Sequence, residues 1–277
     1  MSKLIQRLLI FFIGLPAVVG IVCLHQYHHL ALHVALLAVT VCAALELHAI
    51  FSHQGTLQPK LLLVVLSLLL PAVSFACAFY SLPHAYIEYT FVACIMICMA
   101  YEVLTAQHFE HSNLRLMAAT FIILYSGYLP TFISRMTTLS HATESIALFL
   151  VLVFMCDSLA WLFGNLFGKS NRGIIKASPN KSLAGFLGGI FGSTATAALT
   201  CVVKPEMFGG SYIHAILLGI LISCFAIIGD LVESVFKRSA NCKDSGAIIP
   251  GRGGVLDSVD SVFFAAPVFY LVTTLLF

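Results

Sequence analysis

The sequence predicts an all-α, polytopic integral membrane protein with about nine transmembrane helices and a cytoplasmic N-terminus. Three observations lead there. Of the 277 residues, 60% are hydrophobic and only 9% are charged, against roughly 25% charged in soluble domains. The mean hydropathy is +1.00, and a chain of this length cannot enclose so much apolar surface in a water-facing fold. The apolar residues also fall into separate windows of membrane-spanning length, about 20 residues each.

The windows centre on residues 8–24, 30–51, 61–81, 86–106, 115–134, 144–167, 183–203, 211–233 and 259–277. The first follows a basic start, Lys3 and Arg7, and resembles a signal peptide. No small-residue cleavage site precedes a soluble domain, so it is read as the first span. Glu88 and Glu102 lie near the ends of the fourth window, and Asp157 lies well inside the sixth.

Lys and Arg are retained on the cytoplasmic side of a membrane. With nine spans and a cytoplasmic N-terminus, that side holds Lys3, Arg7, Lys60, Arg115, Lys169, Arg172, Lys176, Lys181, Lys237, Arg238, Lys243 and Arg252. Only Arg135 and Lys204 fall on the other. Losing one span would scramble this division downstream. The simplest organisation is a single membrane domain over 1–277. Within it, 1–145 supplies N-terminal spans, and 146–277 carries two polar cytoplasmic loops, 168–182 and 237–257.

The nine cysteines lie almost all inside apolar runs and form no CxxC pair. They read as small buried hydrophobes, with little to suggest disulfides or zinc. A net charge of +2 gives no reason to expect nucleic acid as a partner. His25, His28, His29 and His33 sit at a span boundary on the non-cytoplasmic side, where an interfacial role fits better than a catalytic metal. Gly164-Asn-Leu-Phe-Gly168-Lys169-Ser170 has one residue too few between its glycines for a P-loop and follows a membrane helix instead of a strand.

Ionisable groups inside spans are costly and by default mark function. Asp157, Asp230 and Glu233 stand at the cytoplasmic parts of spans, and Asp244, Asp257 and Asp260 follow close by. Carboxylates beside two basic, glycine-rich loops suit a nucleotide: the carboxylates hold Mg²⁺, while Lys, Arg and backbone N–H groups hold phosphate. Asp257 and Asp260 share a helix face, as do Asp230, Glu233, Ser234 and Lys237. The plainer reading is that these charges pair with one another at the membrane surface.

Ser234-Val-Phe-Lys237-Arg238, Lys243-Asp244 and Pro250-Gly-Arg252-Gly253-Gly254-Val-Leu-Asp257-Ser258-Val-Asp260 together resemble the signature of phosphatidate cytidylyltransferases, S-x-x-K-R-x4-K-D-x5-P-x-H-G-G-x-x-D-R-x-D. Asp157-Ser-Leu-Ala-Trp161, Gly164 to Lys169, Ser178-Pro179-Asn-Lys181-Ser182, and Gly229-Asp230-Leu-Val-Glu233-Ser234 are similar to further blocks of that family. The similarity covers roughly 157–260. The first half resembles the family only through Arg7, Glu46 and Tyr125-Ser-Gly127. Arg252 stands for the signature His, Ser258 for its Arg, and Ala184 for a Glu; Arg and His are not equivalent donors.

The resemblance implies that CTP and phosphatidate give CDP-diacylglycerol and pyrophosphate, in phospholipid biosynthesis at the inner (cytoplasmic) membrane, with the site on its cytoplasmic side. It implies Asp230 and Asp244 as metal ligands, with Asp257 and Asp260 as further ligands for Mg²⁺ and for a second divalent or a monovalent cation. Lys237, Arg238, Lys243 and Asp244 become the catalytic candidates. Arg252, Ser178, Lys181, Ser234 and Asp157 become the substrate-binding ones, Asp157 facing the lipid head group while the acyl chains stay in the bilayer. Another lipid phosphate, prenyl or ether, is an alternative substrate, and an ion-coupled transporter is a lesser alternative. The lipid tail preference and the oligomeric state are left open.

Overall fold

The protein is seen in a computed structural model, which describes residues 14–249 and 253–276. A short helix α1 (Leu15–Cys23) is followed by α2 (Gln26–Ser52), α3 (Lys60–Tyr80), α4 (Ala85–Thr105) and α5 (Ser112–Ile122). A π-helical turn at Ile123–Tyr128 leads into α6 (Thr131–Met136). Then come α7 (Ala142–Phe167), α8 (Leu183–Val203), α9 (Tyr212–Ser239) and α10 (Leu256–Leu276). Among the described residues, eight helical stretches are long and apolar enough to cross a membrane, Ser112–Met136 counting as one. The chain is thus a multi-pass membrane protein. These eight coincide with the last eight windows expected from sequence. Of the first window, residues 8–13 lie outside the described residues, and the nine residues of α1 fall within its described remainder, 14–24.

The described residues hold no strand, only isolated bridges at Arg172↔Ser182 and Ile249↔Gly253. Chain contacts divide the molecule into two compact units, Met1–Thr138 with Ala240–Ser258, and Leu139–Ser239 with Val259–Phe277.

In the first unit, α3 packs on α2 and on the π turn around Leu63, Leu66, Leu70, Leu47 and Tyr125, all nearly fully buried. Gly127 explains the closeness of that turn. A Cβ there would lie 2.7 Å from the Ser67 carbonyl oxygen and 2.9 Å from its Cα. Ser126 Oγ donates to Ser67 Oγ at 3.2 Å and to Ile122 O at 2.7 Å. Tyr125-Ser-Gly127 is therefore a helix-packing device. A buried carboxylate inside this unit is paired, as a nonpolar surround favours. The Arg115 guanidinium donates to Glu102 Oε1 at 2.8 Å through Nε, and Gln58 Nε2 donates to Glu102 Oε2 at 3.1 Å.

Three residues at the start of α2, Tyr27, His28 and His29, adopt left-handed φ values of 51°, 55° and 57°. His25 and His28 are exposed, whereas His29 and His33 are buried. His33 Nδ1 lies 3.1 Å from Ser134 Oγ, and its ring lies against Phe75. The first pair is thus exposed, and the second pair is packed inside.

The second unit is built on glycines. Cβ atoms at Gly188, Gly189 and Gly192 of α8 would meet Phe163, Cys156 and Leu159 of α7 at 2.5 to 3.0 Å. Such small residues let membrane helices touch backbone to backbone. Gly164 and Gly185 face each other across the same seam, and Gly168 ends α7 against Ser182. The glycines that fail as a P-loop thus serve helix contact. On α9, Gly219 lies against Thr194 of α8, and Gly229 lies against α10.

Candidate functional site

The last three turns of α9 carry Asp230, Glu233, Ser234 and Lys237, at the spacing that aligns side chains on one helix face. Gly229, just before Asp230, lets α10 come very close. A Cβ at 229 would stand 2.8 Å from the Asp260 carbonyl oxygen and 2.6 Å from Phe264 Cβ. Phe225 and Phe264 stack across the same contact, with ring centroids 6.2 Å apart. This approach lays Asp260, on α10, beside Asp230 and Glu233. The carboxylates of the three residues lie within 4.8 Å of one another. Glu233 and Asp260 are buried, at 1% and 6% exposure, and Asp230 is half-buried.

Three converging carboxylates in an apolar surround need compensation. Lys237, one turn after Glu233, pairs with it; Lys181 pairs with Asp230. Asp260 Oδ1 also accepts from the Ser261 N–H at 2.6 Å. Asp157 on α7 is exposed and is an electrostatic neighbour of Asp260, as are Asp230 and Lys237. Hard oxygen donors at this separation, carrying more negative charge than the two lysines balance, match the donor set of a divalent cation such as Mg²⁺.

Lys181 is delivered by the α7–α8 loop, which the chain's own hydrogen bonds shape. Gly173 N–H donates to Lys181 O at 3.3 Å and Leu183 N–H to Asn171 O at 3.2 Å, while turns close from Ser178 N–H to Ile175 O and from Lys181 N–H to Ser178 O, both at 3.1 Å. Ser182 caps α8, accepting from Gly185 N–H at 3.1 Å. Arg238 Nε donates to Ala177 O at 3.2 Å, so it ties the end of α9 to this loop. Ser178 is half-buried in the loop, and Ser234 is buried on α9.

In the first unit, the α9–α10 loop carries Lys243, Asp244 and, at the head of α10, Asp257. Lys243 and Asp244 are exposed and enter no ion pair among the described residues. Gly253, at φ +114°, is flanked by both acids: a Cβ there would be 3.2 Å from Asp244 Cβ and 3.3 Å from Asp257 Cγ. Asp257 Oδ2 accepts from Ser245 N–H at 2.9 Å and Gly254 N–H at 2.7 Å and lies 3.0 Å from Ser245 Oγ. That oxygen is occupied in shaping the loop. Arg252 lies outside the described residues.

Of the four acids expected to ligate metal, Asp230 and Asp260 thus meet, joined by Glu233, which sequence reading placed on the right face without giving it a ligand role. Asp244 and Asp257 belong to the other unit. Sequence reading also left Glu46 of α2 without a role. It is 5% exposed, accepting from Val255 N–H at 2.9 Å, Leu256 N–H at 2.8 Å and Ser245 Oγ at 2.9 Å. Its sequence signals are a lone carboxylate in an apolar window and its part in the loose family resemblance of the first half.

The model of the cytidylyltransferase family matches residues 5–276 of this chain. Three similar proteins bear the name phosphatidate cytidylyltransferase. That of Staphylococcus epidermidis is 34% identical over 176 residues, 62% of this chain and 65% of its own length. That of Staphylococcus aureus is 36% identical over 176 residues, with the same shares. That of Staphylococcus saprophyticus is 33% identical over 177 residues, 64% of this chain and 65% of its own. The chain thus matches about 65% of the length of these relatives. With a family match along nearly its whole length, and a carboxylate and lysine cluster built from the end of α9, the start of α10 and the α7–α8 loop, this chain belongs to the cytidylyltransferase family.

Proposed function

We propose that the protein is a phosphatidate cytidylyltransferase, converting CTP and phosphatidate to CDP-diacylglycerol and pyrophosphate. The observation that carries this reading is the meeting of Asp230, Glu233 and Asp260 with Lys181 and Lys237 at a membrane helix end. Such a site offers anchoring to a nucleotide–metal complex while the lipid remains in the bilayer.

In this mechanism a phosphate oxygen of phosphatidate attacks the α-phosphorus of CTP, and the bond from that phosphorus to the bridging oxygen breaks to release pyrophosphate. The attacking oxygen is already anionic, so no strong base is needed, and the work lies in positioning and charge neutralisation. Asp230, Glu233 and Asp260 would hold a divalent cation such as Mg²⁺, which would supply charge neutralisation on the phosphate oxygens. Lys181 and Lys237 exchange their carboxylate partners for phosphate oxygens. In the first unit, Asp257 shapes the α9–α10 loop, on which Lys243 and Asp244 are exposed. Asp157 faces the lipid head group. The distribution of Lys and Arg supports a site on the cytoplasmic face of the inner membrane.

The test is direct. Purified protein in mixed lipid micelles receives labelled CTP, phosphatidate and Mg²⁺, and the lipid product is resolved. CDP-diacylglycerol is expected; its absence with phosphatidate and with prenyl and ether lipid phosphates overturns the reading. Product from a different lipid phosphate only would reassign the substrate.

A further inference from the structure

We infer that Glu46 is a positioning residue for the α9–α10 loop and the first turn of α10, an inference that rests on the proposed cytidylyltransferase reading for its effect on turnover. The first N–H groups of a helix have no partners within it and attract negative charge. At the start of α10 those partners come from far away in sequence. Glu46 Oε1 takes the Val255 N–H and Oε2 takes the Leu256 N–H, at 2.9 and 2.8 Å. The same Oε2 accepts from Ser245 Oγ at 2.9 Å, and Ser245 Oγ lies 3.0 Å from Asp257 Oδ2. One carboxylate on α2 thereby holds the first turn of α10 and the loop residue after Lys243-Asp244.

Two glycines give an independent observation. A Cβ at Gly246 would lie 2.6 Å from Glu46 Oε1, 3.0 Å from its Cδ and 3.2 Å from its Cγ, with nothing nearer. A Cβ at Gly254 would lie 2.7 Å from Glu46 Cδ. The loop backbone passes the carboxylate so closely on both sides that a side chain at either position would push against it. Gly254 thus makes room for both Ser245 Oγ and the Glu46 carboxylate.

The chemistry is specific to a carboxylate. An amide at position 46 keeps one acceptor and turns an N–H₂ toward a backbone N–H. A shorter Asp cannot span both donors in the same geometry.

The experiment uses the full-length protein in micelles, with two readouts: CDP-diacylglycerol formation, and hydrogen exchange of the Val255 and Leu256 amides. Glu46→Gln is expected to lower turnover about tenfold to hundredfold, in line with loss of charged hydrogen bonds. It should also speed exchange at those two amides while amides within α3 keep their protection. Gly246→Ala, which leaves Glu46 in place and crowds it, should loosen the same amides. In the double variant with Glu46→Ala it should add little further loss, the non-additivity expected of residues in contact. Wild-type exchange and turnover in both Glu46→Gln and Gly246→Ala would overturn the inference. If the wild-type protein makes no CDP-diacylglycerol, the functional reading fails, and the amide exchange alone decides whether Glu46 holds the loop.

Discussion

Replacing Gly229 by Ala tests whether the approach of α10 to α9 builds the carboxylate cluster. The added Cβ would stand 2.6 Å from Phe264 Cβ and 2.8 Å from the Asp260 carbonyl oxygen, whereas ordinary contact begins at 3.4 Å. About 0.6 to 0.8 Å must therefore be found, and the backbone oxygen cannot rotate away as a flexible side-chain end could. Overpacking of this kind costs about 1–3 kcal/mol. Asp260 moves with its own backbone, so the same displacement carries its carboxylate away from Asp230 and Glu233. A misplacement near 1 Å can cost about 100-fold in rate, so turnover should fall by a larger factor than stability alone explains. The assay pairs thermal unfolding in detergent with CDP-diacylglycerol formation per folded molecule. Gly20→Ala is the control, because nothing lies within 4 Å of a Cβ there. If Gly229→Ala matched that control in both measurements, helix proximity at 229 would not be what assembles the site.

Chelation should abolish activity and Mg²⁺ should restore it, with Asp230→Asn shifting the Mg²⁺ requirement upward; an unchanged titration would remove Asp230 from the ligand set. Arg115→Ala leaves the buried Glu102 carboxylate without the guanidinium that now sits on it, and breaking a buried pair costs about 3–5 kcal/mol. Its melting temperature should drop while activity per folded molecule stays the same. His84, just before α4, has its pKa held below the ordinary 6.5, first by burial and then by the Arg135 charge, with Glu88 opposing. The unfolded chain therefore binds the proton more readily, and this contribution to stability is present above 6.5 and is lost as pH falls below it. His84→Gln should flatten that part of the stability profile, measured as the denaturation midpoint against pH.

Sequence by itself determined the membrane architecture, because apolar windows of spanning length have few alternatives in a bilayer, where each backbone polar group must be satisfied within its own helix. It also placed Asp230, Glu233 and Lys237 on one helix face, since that is a local property of 3.6-residue periodicity. What it could not supply was pairing across the chain. That Asp260 joins Asp230 and Glu233 depends on how closely α10 crosses α9 at Gly229. That Lys181 reaches Asp230 depends on the hydrogen-bonded path of the α7–α8 loop. Glu46 is the clearest case: nearly two hundred positions separate it from Ser245, and no periodicity in α2 marks it as the partner of a helix end in the other half of the sequence. Local rules fix which face a side chain is on, and only tertiary packing decides what meets it there.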